Sequence, residues 1–370
     1  MAVPDDDPPP LRVAYTMEAC WHRVPGGTAV AAVEVARRLV DRPDVRLFGV
    51  AGQHRRMPAQ PFRPPMAVGH LPLPRPALYE AWLRLGRPHV ERITGPVDVA
   101  HATGLVPCPS RAPLVVTVHD LAFVHEPGRF TRQGARVMER SLEVVRRRAR
   151  LVITPSAASR DDLVAHGVDS SRIRLVPLGV DATPAPADHV ARVRHELRLP
   201  ERFVLFVGTL EPRKNLRRLV AAMAAADGDR LPLVVAGPAG WGDAAPADVG
   251  RADVRFVGFV APADLPGLYA AATVFAYPSE LEGFGLPVAE AMAQGAPVVT
   301  SAGRSTEEVA GGAAVLVDPL DVDSIRAGIA EAAARTDELA AAGRARAADL
   351  TWEAAAERTL AVYREAAGRG

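Results

Sequence analysis

An alternation that stops and starts again is the feature that most limits what this chain can fold into. Short apolar runs at 11–15, 45–50, 97–101, 114–119, 151–154 and 173–177 alternate with helix-length stretches such as 28–40, 130–149 and 156–166. Strands separated by helices predict a parallel sheet covered on both faces. The stretch 181–188, Asp-Ala-Thr-Pro-Ala-Pro-Ala-Asp, breaks the pattern as a linker. It then restarts, with apolar runs at 203–208, 233–237, 254–257, 274–278, 297–300 and 314–317 and helical patterns at 215–226, 287–294, 323–334 and 352–367. The natural reading is α/β, with two doubly wound domains at 1–182 and 183–351. The segment 60–76, with prolines at 61, 64, 65, 72, 74 and 76, is expected to be an extended surface loop. In such sheets ligands bind outside the carboxyl ends of the strands, where loops lead into helices. Those loops are where chemistry should be sought.

Composition narrows the class further. A length of 370 residues suits about two domains, and 48% apolar with 24% charged residues is ordinary for a globular protein. A formal net charge of +1 gives no reason to expect nucleic acid as a partner. Cys20 and Cys108 cannot make a disulfide framework and match no zinc spacing. The start, Met-Ala-Val-Pro-Asp-Asp-Asp-Pro-Pro-Pro, is acidic and proline-rich, the opposite of a signal peptide. The longest strongly apolar uncharged run, 265–279, is too short to cross a bilayer and carries Pro266 and Gly267. A cytoplasmic protein is expected, with the inner face of a membrane still open to it. No Gly-x-Gly-x-x-Gly follows a predicted strand, and neither Gly-x-Ser-x-Gly nor His-Glu-x-x-His occurs. A Walker A loop is also absent, because the lone lysine follows Arg213.

That lysine is a compositional oddity. Of 44 basic residues 43 are arginine and one is Lys214, and the only asparagine is its neighbour Asn215. Chance explains such a pair, so by itself it only points. It lies in Gly208-Thr-Leu-Glu-Pro-Arg-Lys-Asn215, a loop from a predicted strand into a helix. Amides of a helix N-terminus attract anions, and Arg213 adds a planar fork for phosphate oxygens. Arg213 and Lys214 together could neutralise a diphosphate; the plain alternative is a solvated turn capped by Asn215. A second loop reads Glu282-Gly-Phe-Gly-Leu-Pro-Val-Ala-Glu290. Pro287 suits a first helical turn, and Gly283 and Gly285 permit close backbone approach to a ligand. Glu282 then sits above the helix and Glu290 in its opening turn, suited to hydroxyls of two different sugars. The alternative is dipole compensation by acidic residues.

The string from Glu282 to Glu290, continued by Ala-Met-Ala-Gln-Gly-Ala-Pro-Val-Val-Thr300, resembles the signature of retaining family 4 glycosyltransferases of GT-B fold. The group it resembles includes bacterial mannosyltransferases. The 208–215 loop is similar to that family's diphosphate loop, and Ser305-Thr-Glu-Glu-Val-Ala-Gly-Gly to its following loop. Thr117-Val-His-Asp120 and Arg172-Ile-Arg-Leu-Val-Pro-Leu-Gly-Val-Asp181 resemble family segments in the first half. The resemblance implies two Rossmann-like domains facing across a cleft, with the final helix, about 352–370, packing back on the first.

By position, the resemblance gives the nucleotide diphosphate to Arg213 and Lys214, the ribose hydroxyls to Glu290 and the donor sugar to Glu282. The loop Gly283, Phe284, Gly285 and Leu286 lines the donor. His119 faces the sugar from the first domain, and Gly26-Gly27 resembles the glycine loop that approaches the phosphates, although Pro25-Gly-Gly-Thr departs from commoner forms. Glu307-Glu308 stands where relatives often carry Pro before Glu. Implied is a hexose moved with retention from GDP-mannose or a UDP-hexose to a hydroxyl of a glycan or lipid-linked acceptor. Neither a metal nor another cofactor is expected, since no Asp-x-Asp appears among the candidate loops. Two other classes compete: a pyridoxal-phosphate phosphorylase on the related scaffold with Lys214 as Schiff base, and a non-catalytic nucleotide-sugar binder. Catalytic weight falls on Glu282, His119, Arg213 and Lys214.

Three features lie outside that set. His101 also ends a predicted strand facing the expected cleft, with a structural role as the default, and His125 is an outside candidate for acceptor contact. Arg129, Arg132, Arg136, Arg140 and Arg147 recur on one helical face opposite Met138, Leu142, Val145 and Ala149. Such a face suits a solvated surface, a phospholipid membrane or an anionic lipid-linked acceptor.

Overall fold

The computed structural model describes residues 9–22, 25–225, 231–238 and 252–369. The acidic start at 1–8, residue 226 at the expected end of one helix, and the side chain of Arg129 lie outside the described residues. Two compact units emerge, one of Met1–Pro177 with Trp352–Gly370, the other of Leu178–Thr351.

The first unit runs β1 Leu11–Thr16, α1 Gly27–Leu39, β2 Val45–Ala51, β3 Val68–His70, α2 Arg75–Leu85, α3 Glu91–Thr94, β4 Val99–Ala102, β5 Leu114–Thr117, α4 Ala122–His125, α5 Arg132–Arg148, β6 Leu151–Thr154, α6 Ala157–Ala165 and β7 Ile173–Leu175. Its seven-stranded sheet has the order β3-β2-β1-β4-β5-β6-β7, all parallel. The second unit runs α7 Ala187–Glu196, β8 Val204–Val207, α8 Leu216–Ala224, β9 Leu233–Ala236, β10 Val254–Gly258, α9 Leu265–Ala271, β11 Val274–Tyr277, α10 Leu286–Ala293, β12 Val298–Ser301, α11 Ser305–Ala310, β13 Val315–Val317, α12 Val322–Ala334 and α13 Thr336–Ala348. Its parallel sheet has the order β10-β9-β8-β11-β12-β13. The last helix, α14 Trp352–Ala366, returns to the first unit and packs along α1. Both sheets are doubly wound, and their central strands are buried along their whole length, as runs covered on both faces must be.

The strand order reverses between β1 and β4 in the first unit and between β8 and β11 in the second. Those switch points leave crevices at the carboxyl ends of the strands, because the helices on either side depart to opposite faces. In the first, Thr103 closes the gap by donating its N–H to Thr16 Oγ1 at 3.0 Å and its hydroxyl to Thr16 O at 2.7 Å.

Three sequence expectations need correction. The proline-rich segment 60–76 is not loop throughout: β3 pairs with β2, and Arg75 already opens α2. The stretch Val68–His70 lies between Pro65 and Pro72 and keeps its amides, so it can join a sheet edge. The domain boundary falls between Pro177 and Leu178 rather than at 182, because the Val180 N–H already bonds Leu350 O at 2.8 Å. The segment opening at Ser305 is a short helix, α11, rather than a loop.

Candidate functional site

The switch point of the second unit gathers the residues that the sequence singled out. After β8 the chain passes Gly208 into a 3-10 turn, Pro212–Lys214, and Asn215 then turns the backbone with φ +60°. That left-handed conformation is tolerated by Asn better than by most residues. The Asn215 side chain does not cap α8. It is buried and donates to Pro278 O at 2.9 Å and Pro319 O at 2.6 Å, tying the segments after β11 and β13 to the turn. The solvated, Asn-capped turn is therefore not what forms.

Lys214, next to it, is only 8% exposed. Its ammonium donates to Glu282 Oε1 at 2.6 Å and to the Tyr277 hydroxyl. Tyr277 and Ser279 each donate to the same Oε1 at 2.9 Å. The other carboxylate oxygen, Oε2, lies 3.0 Å from Arg213 Nη1, whose Nε donates to Glu211 Oε2 at 2.8 Å. Two cations and two carboxylates thus alternate as Glu211, Arg213, Glu282, Lys214. Burial alone would raise the Glu282 carboxyl, but Lys214 and Arg213 beside it bring it down to about 2, so it is ionised at neutral pH. Burial pushes Lys214 down while Glu282 opposes that shift. Arg213 and Lys214 come together as the sequence suggested, yet they are already neutralised by protein carboxylates.

The Glu282 backbone is fixed as well, since Ser305 Oγ donates to its carbonyl at 2.6 Å. Beyond it Gly283 and Phe284 are buried, and Gly285 (φ +102°) is the N-cap of α10, followed by half-buried Leu286. A Cβ on Gly285 would lie 2.8 Å from Thr306 Cγ2, so a protein neighbour and a left-handed turn both call for glycine there. Glu290 is also displaced from expectation. The helix begins at Leu286, so Glu290 lies past its first turn and does not offset the dipole. Instead it accepts a bond from the Tyr269 hydroxyl at 2.7 Å, and burial pushes its carboxyl up.

The first unit holds the remaining candidates. Gly26 caps α1 and Gly27 begins it, both exposed, and a Cβ on Gly26 would meet nothing within 4 Å. An open helix N-terminus of this kind presents amides to solvent. His119, two residues beyond β5, has Nε2 3.3 Å from Thr103 O, and burial pushes its imidazole down, so it is neutral at pH 7. His101 does not end a strand facing a ligand. It lies inside β4 with Nδ1 2.6 Å from the Tyr363 hydroxyl of α14 and Nε2 2.8 Å from Thr117 Oγ1. Its role is to seat the returning helix. His125 is committed to Asp162, at 2.8 Å. Along α5, Arg132 and Arg136 are exposed, whereas Arg140 lies 3.6 Å from Glu80 and Arg147 pairs with Glu143.

Sequence reasoning missed Tyr277, Ser279, Tyr269, Ser305 and the part played by Glu211. Tyr277 and Tyr269 sit in apolar runs and read as core. Ser279 and Glu211 lie inside or beside the quoted loops, three residues from Glu282 and Lys214, and that closeness was the available signal.

Comparison with known proteins gives the family. Residues 189–348 match the family of glycosyl transferases group 1, and residues 25–183 match glycosyltransferase family 4. The chain is 35% identical over 265 residues to O-antigen chain mannosyltransferase B of Escherichia coli, covering 68% of this chain and 70% of that protein. It is 34% identical over 388 aligned positions to D-inositol 3-phosphate glycosyltransferase of Geodermatophilus obscurus, covering 92% of this chain and 85% of that one. Among solved structures, Anabaena HepE in complex with UDP and glucose superposes with a TM-score of 0.72 at 20% identity, over 95% of this chain and 98% of that chain. Sucrose-phosphate synthase of Thermosynechococcus elongatus gives 0.70 at 22% identity, over 97% and 99%. These two likenesses speak to the fold, which is GT-B.

Proposed function

Because the chain belongs to the group 1 and family 4 glycosyltransferases, enzymes that move a sugar from a nucleotide sugar, we propose that it transfers a hexose with retention from GDP-mannose or a UDP-hexose to a hydroxyl of a glycan or lipid-linked acceptor. The observation that carries this reading is the placement of Arg213, Lys214 and Glu282 at the β8–β11 switch point. As the donor's glycosidic bond breaks, negative charge grows on the departing diphosphate. Fixed cations beside that charge lower the barrier directly. Glu290 takes the ribose hydroxyls, and Glu282 with the 283–286 loop lies against the hexose. His119 and the Gly26-Gly27 turn are the first unit's candidates for donor contact.

Front-side attack fits the inventory, with a phosphate oxygen taking the acceptor's proton. Glu282 is a poor covalent nucleophile, since both its oxygens are occupied by donors. Side chains supply the counter-charge, so the reaction needs no metal. Among the described residues no group of three or more His, Cys, Asp or Glu could hold an ion. Lys214, engaged as an ammonium by Glu282 and Tyr277, favours a diphosphate contact over a pyridoxal-phosphate Schiff base. For the acceptor side we infer a peripheral membrane contact through exposed Arg132 and Arg136 of α5. No described helix is long and apolar enough to cross a membrane.

A thermal-shift panel of GDP-mannose, UDP-hexoses and the free nucleotides tests the donor reading. A ligand at a hundred times its dissociation constant stabilises by about 2.7 kcal/mol. A shift with one base and none with the others identifies the donor; no shift with any nucleotide overturns the proposal. Turnover that survives EDTA, with an anomeric configuration matching the donor's, tests the finer claims.

A further inference from the structure

Four charges stand in the second unit's crevice, and they cancel. Glu211 holds Arg213 through Nε, and Glu282 holds both Arg213 Nη1 and the Lys214 ammonium. A diphosphate arriving here therefore meets no free positive field. It meets cations whose acceptors are already in place. The two carboxylates are not equivalent. Glu211 is local to its partner, at the N-cap of the same 3-10 turn, and its carboxylate bonds Arg213. Glu282 comes from the other side of the crevice, on the β11–α10 loop, and spans both cations.

The reason for such an arrangement lies in burial. The Lys214 and Glu282 side chains are each 10% exposed. An ammonium so far removed from water needs a counter-charge at all times, because an unpaired buried charge is strongly destabilising. While no donor is bound, Glu282, the carboxylate bonded to it, provides that charge. Once a diphosphate lies on Lys214 and Arg213, Glu282 becomes a like charge against it, and the same electrostatics drive it off. Tyr277 is placed to ease the exchange, since its hydroxyl touches both partners and still accepts from Lys214 when the carboxylate has gone.

We propose that Glu282 is a built-in stand-in for the donor diphosphate: donor binding is an exchange of anions on Lys214 and Arg213, while Glu211 stays on Arg213. The inference rests on the donor reading above and adds a cost to it. Each nucleotide must displace Glu282, so its apparent affinity is lowered by the fraction of protein in which the cations are free. The displaced carboxylate is thereby released beside the hexose at the moment the diphosphate is seated.

Calorimetric titration of GDP and UDP into the whole protein tests this. Coupling of this kind typically changes affinity by 5- to 150-fold, so Glu282→Gln should bind the nucleoside diphosphate about tenfold more tightly than wild type. Glu211→Gln, which alters only the local field, should gain less than half as much on a logarithmic scale. Glu282→Asp, which draws the charge back from Lys214, should fall between wild type and Glu282→Gln, and it serves if the glutamine variant does not fold. In thermal unfolding, Glu282→Gln without ligand should melt below wild type and be raised more by the diphosphate than wild type is. Equal or weaker binding in Glu282→Gln, or equal gains in Glu282→Gln and Glu211→Gln, overturns the exchange while leaving the donor reading intact. No binding of GDP or UDP to wild type or to any variant overturns both.

Discussion

The two units share a topology and differ in what they place at its switch point. In the first, the gap between β1 and β4 is bridged by neutral hydroxyl and amide bonds from Thr103 to Thr16. Its buried histidine, His101, is spent on the Tyr363 hydroxyl of α14. In the second, the gap between β8 and β11 is filled by three ion pairs among four side chains and by the Tyr277 phenol. A doubly wound sheet offers a crevice wherever its strand order reverses, but the fold does not decide what the crevice is for. Neutral bonds close the first unit's reversal. Desolvated charges make the second's a place where an incoming anion changes the energy of the protein itself.

That contrast can be broken, beginning where the effect is largest. Lys214→Met should lower kcat by about 10²–10³-fold, the scale of losing one preorganised electrostatic group, measured by initial rates of sugar transfer. The same variant takes from the buried Glu282 carboxylate one of its two cations, leaving Arg213, and should lose stability, up to about 3–5 kcal/mol, in denaturant unfolding. Lys214→Arg keeps the charge but brings a larger, planar group to a site 8% exposed; turnover should fall by a smaller factor than in the methionine variant. Full activity in Lys214→Arg would return the Lys-Asn pair to coincidence.

In the first unit, Tyr363→Phe leaves a buried ring nitrogen of His101 without its partner and should cost about 1–3 kcal/mol in stability. Nucleotide affinity should not change, and a loss of affinity would mean that the two switch points are not separate in function. The smallest expected effect is a pH shift. Burial raises the Glu290 carboxyl and the Tyr269 hydroxyl opposes that by donating to it. A raised carboxyl favours folding in acid and gives up that contribution as pH climbs through its folded value. Tyr269→Phe removes the opposing bond, so the acid limb of nucleotide binding should move to higher pH. Movement to lower pH would show that Glu290 is not the group that titrates.

Much of this was legible in the sequence because it is carried by local pattern. Buried parallel strands show as short apolar runs, and the loops after β8 and β11 carry unusual residues at close spacing. What could not be read is long-range and polar. Tyr277 looks like one more apolar strand residue until the fold brings Lys214 to its hydroxyl across 63 positions of chain. The cancellation of charge by Glu282 was hidden for a related reason, since it lies 68 positions from Lys214, whereas Glu211, two positions before Arg213, stood in the loop to be read. Glu290 was misplaced by less than a turn, since its string does not mark where α10 starts. In the proline-rich segment, β3 escaped because a three-residue edge strand has no periodicity to detect.

The return of α14 sets an order of events during synthesis. The second unit is one unbroken stretch, Leu178–Thr351, whereas the first is finished only by residues from Trp352 onward. Until those residues leave the ribosome, the first unit lacks Leu360 and Tyr363, each fully buried in the finished fold, and His101 has no Tyr363 hydroxyl to meet. Domains made first usually fold first. Here the half translated first has to wait for its last helix, and the half that carries the paired charges can be complete before it.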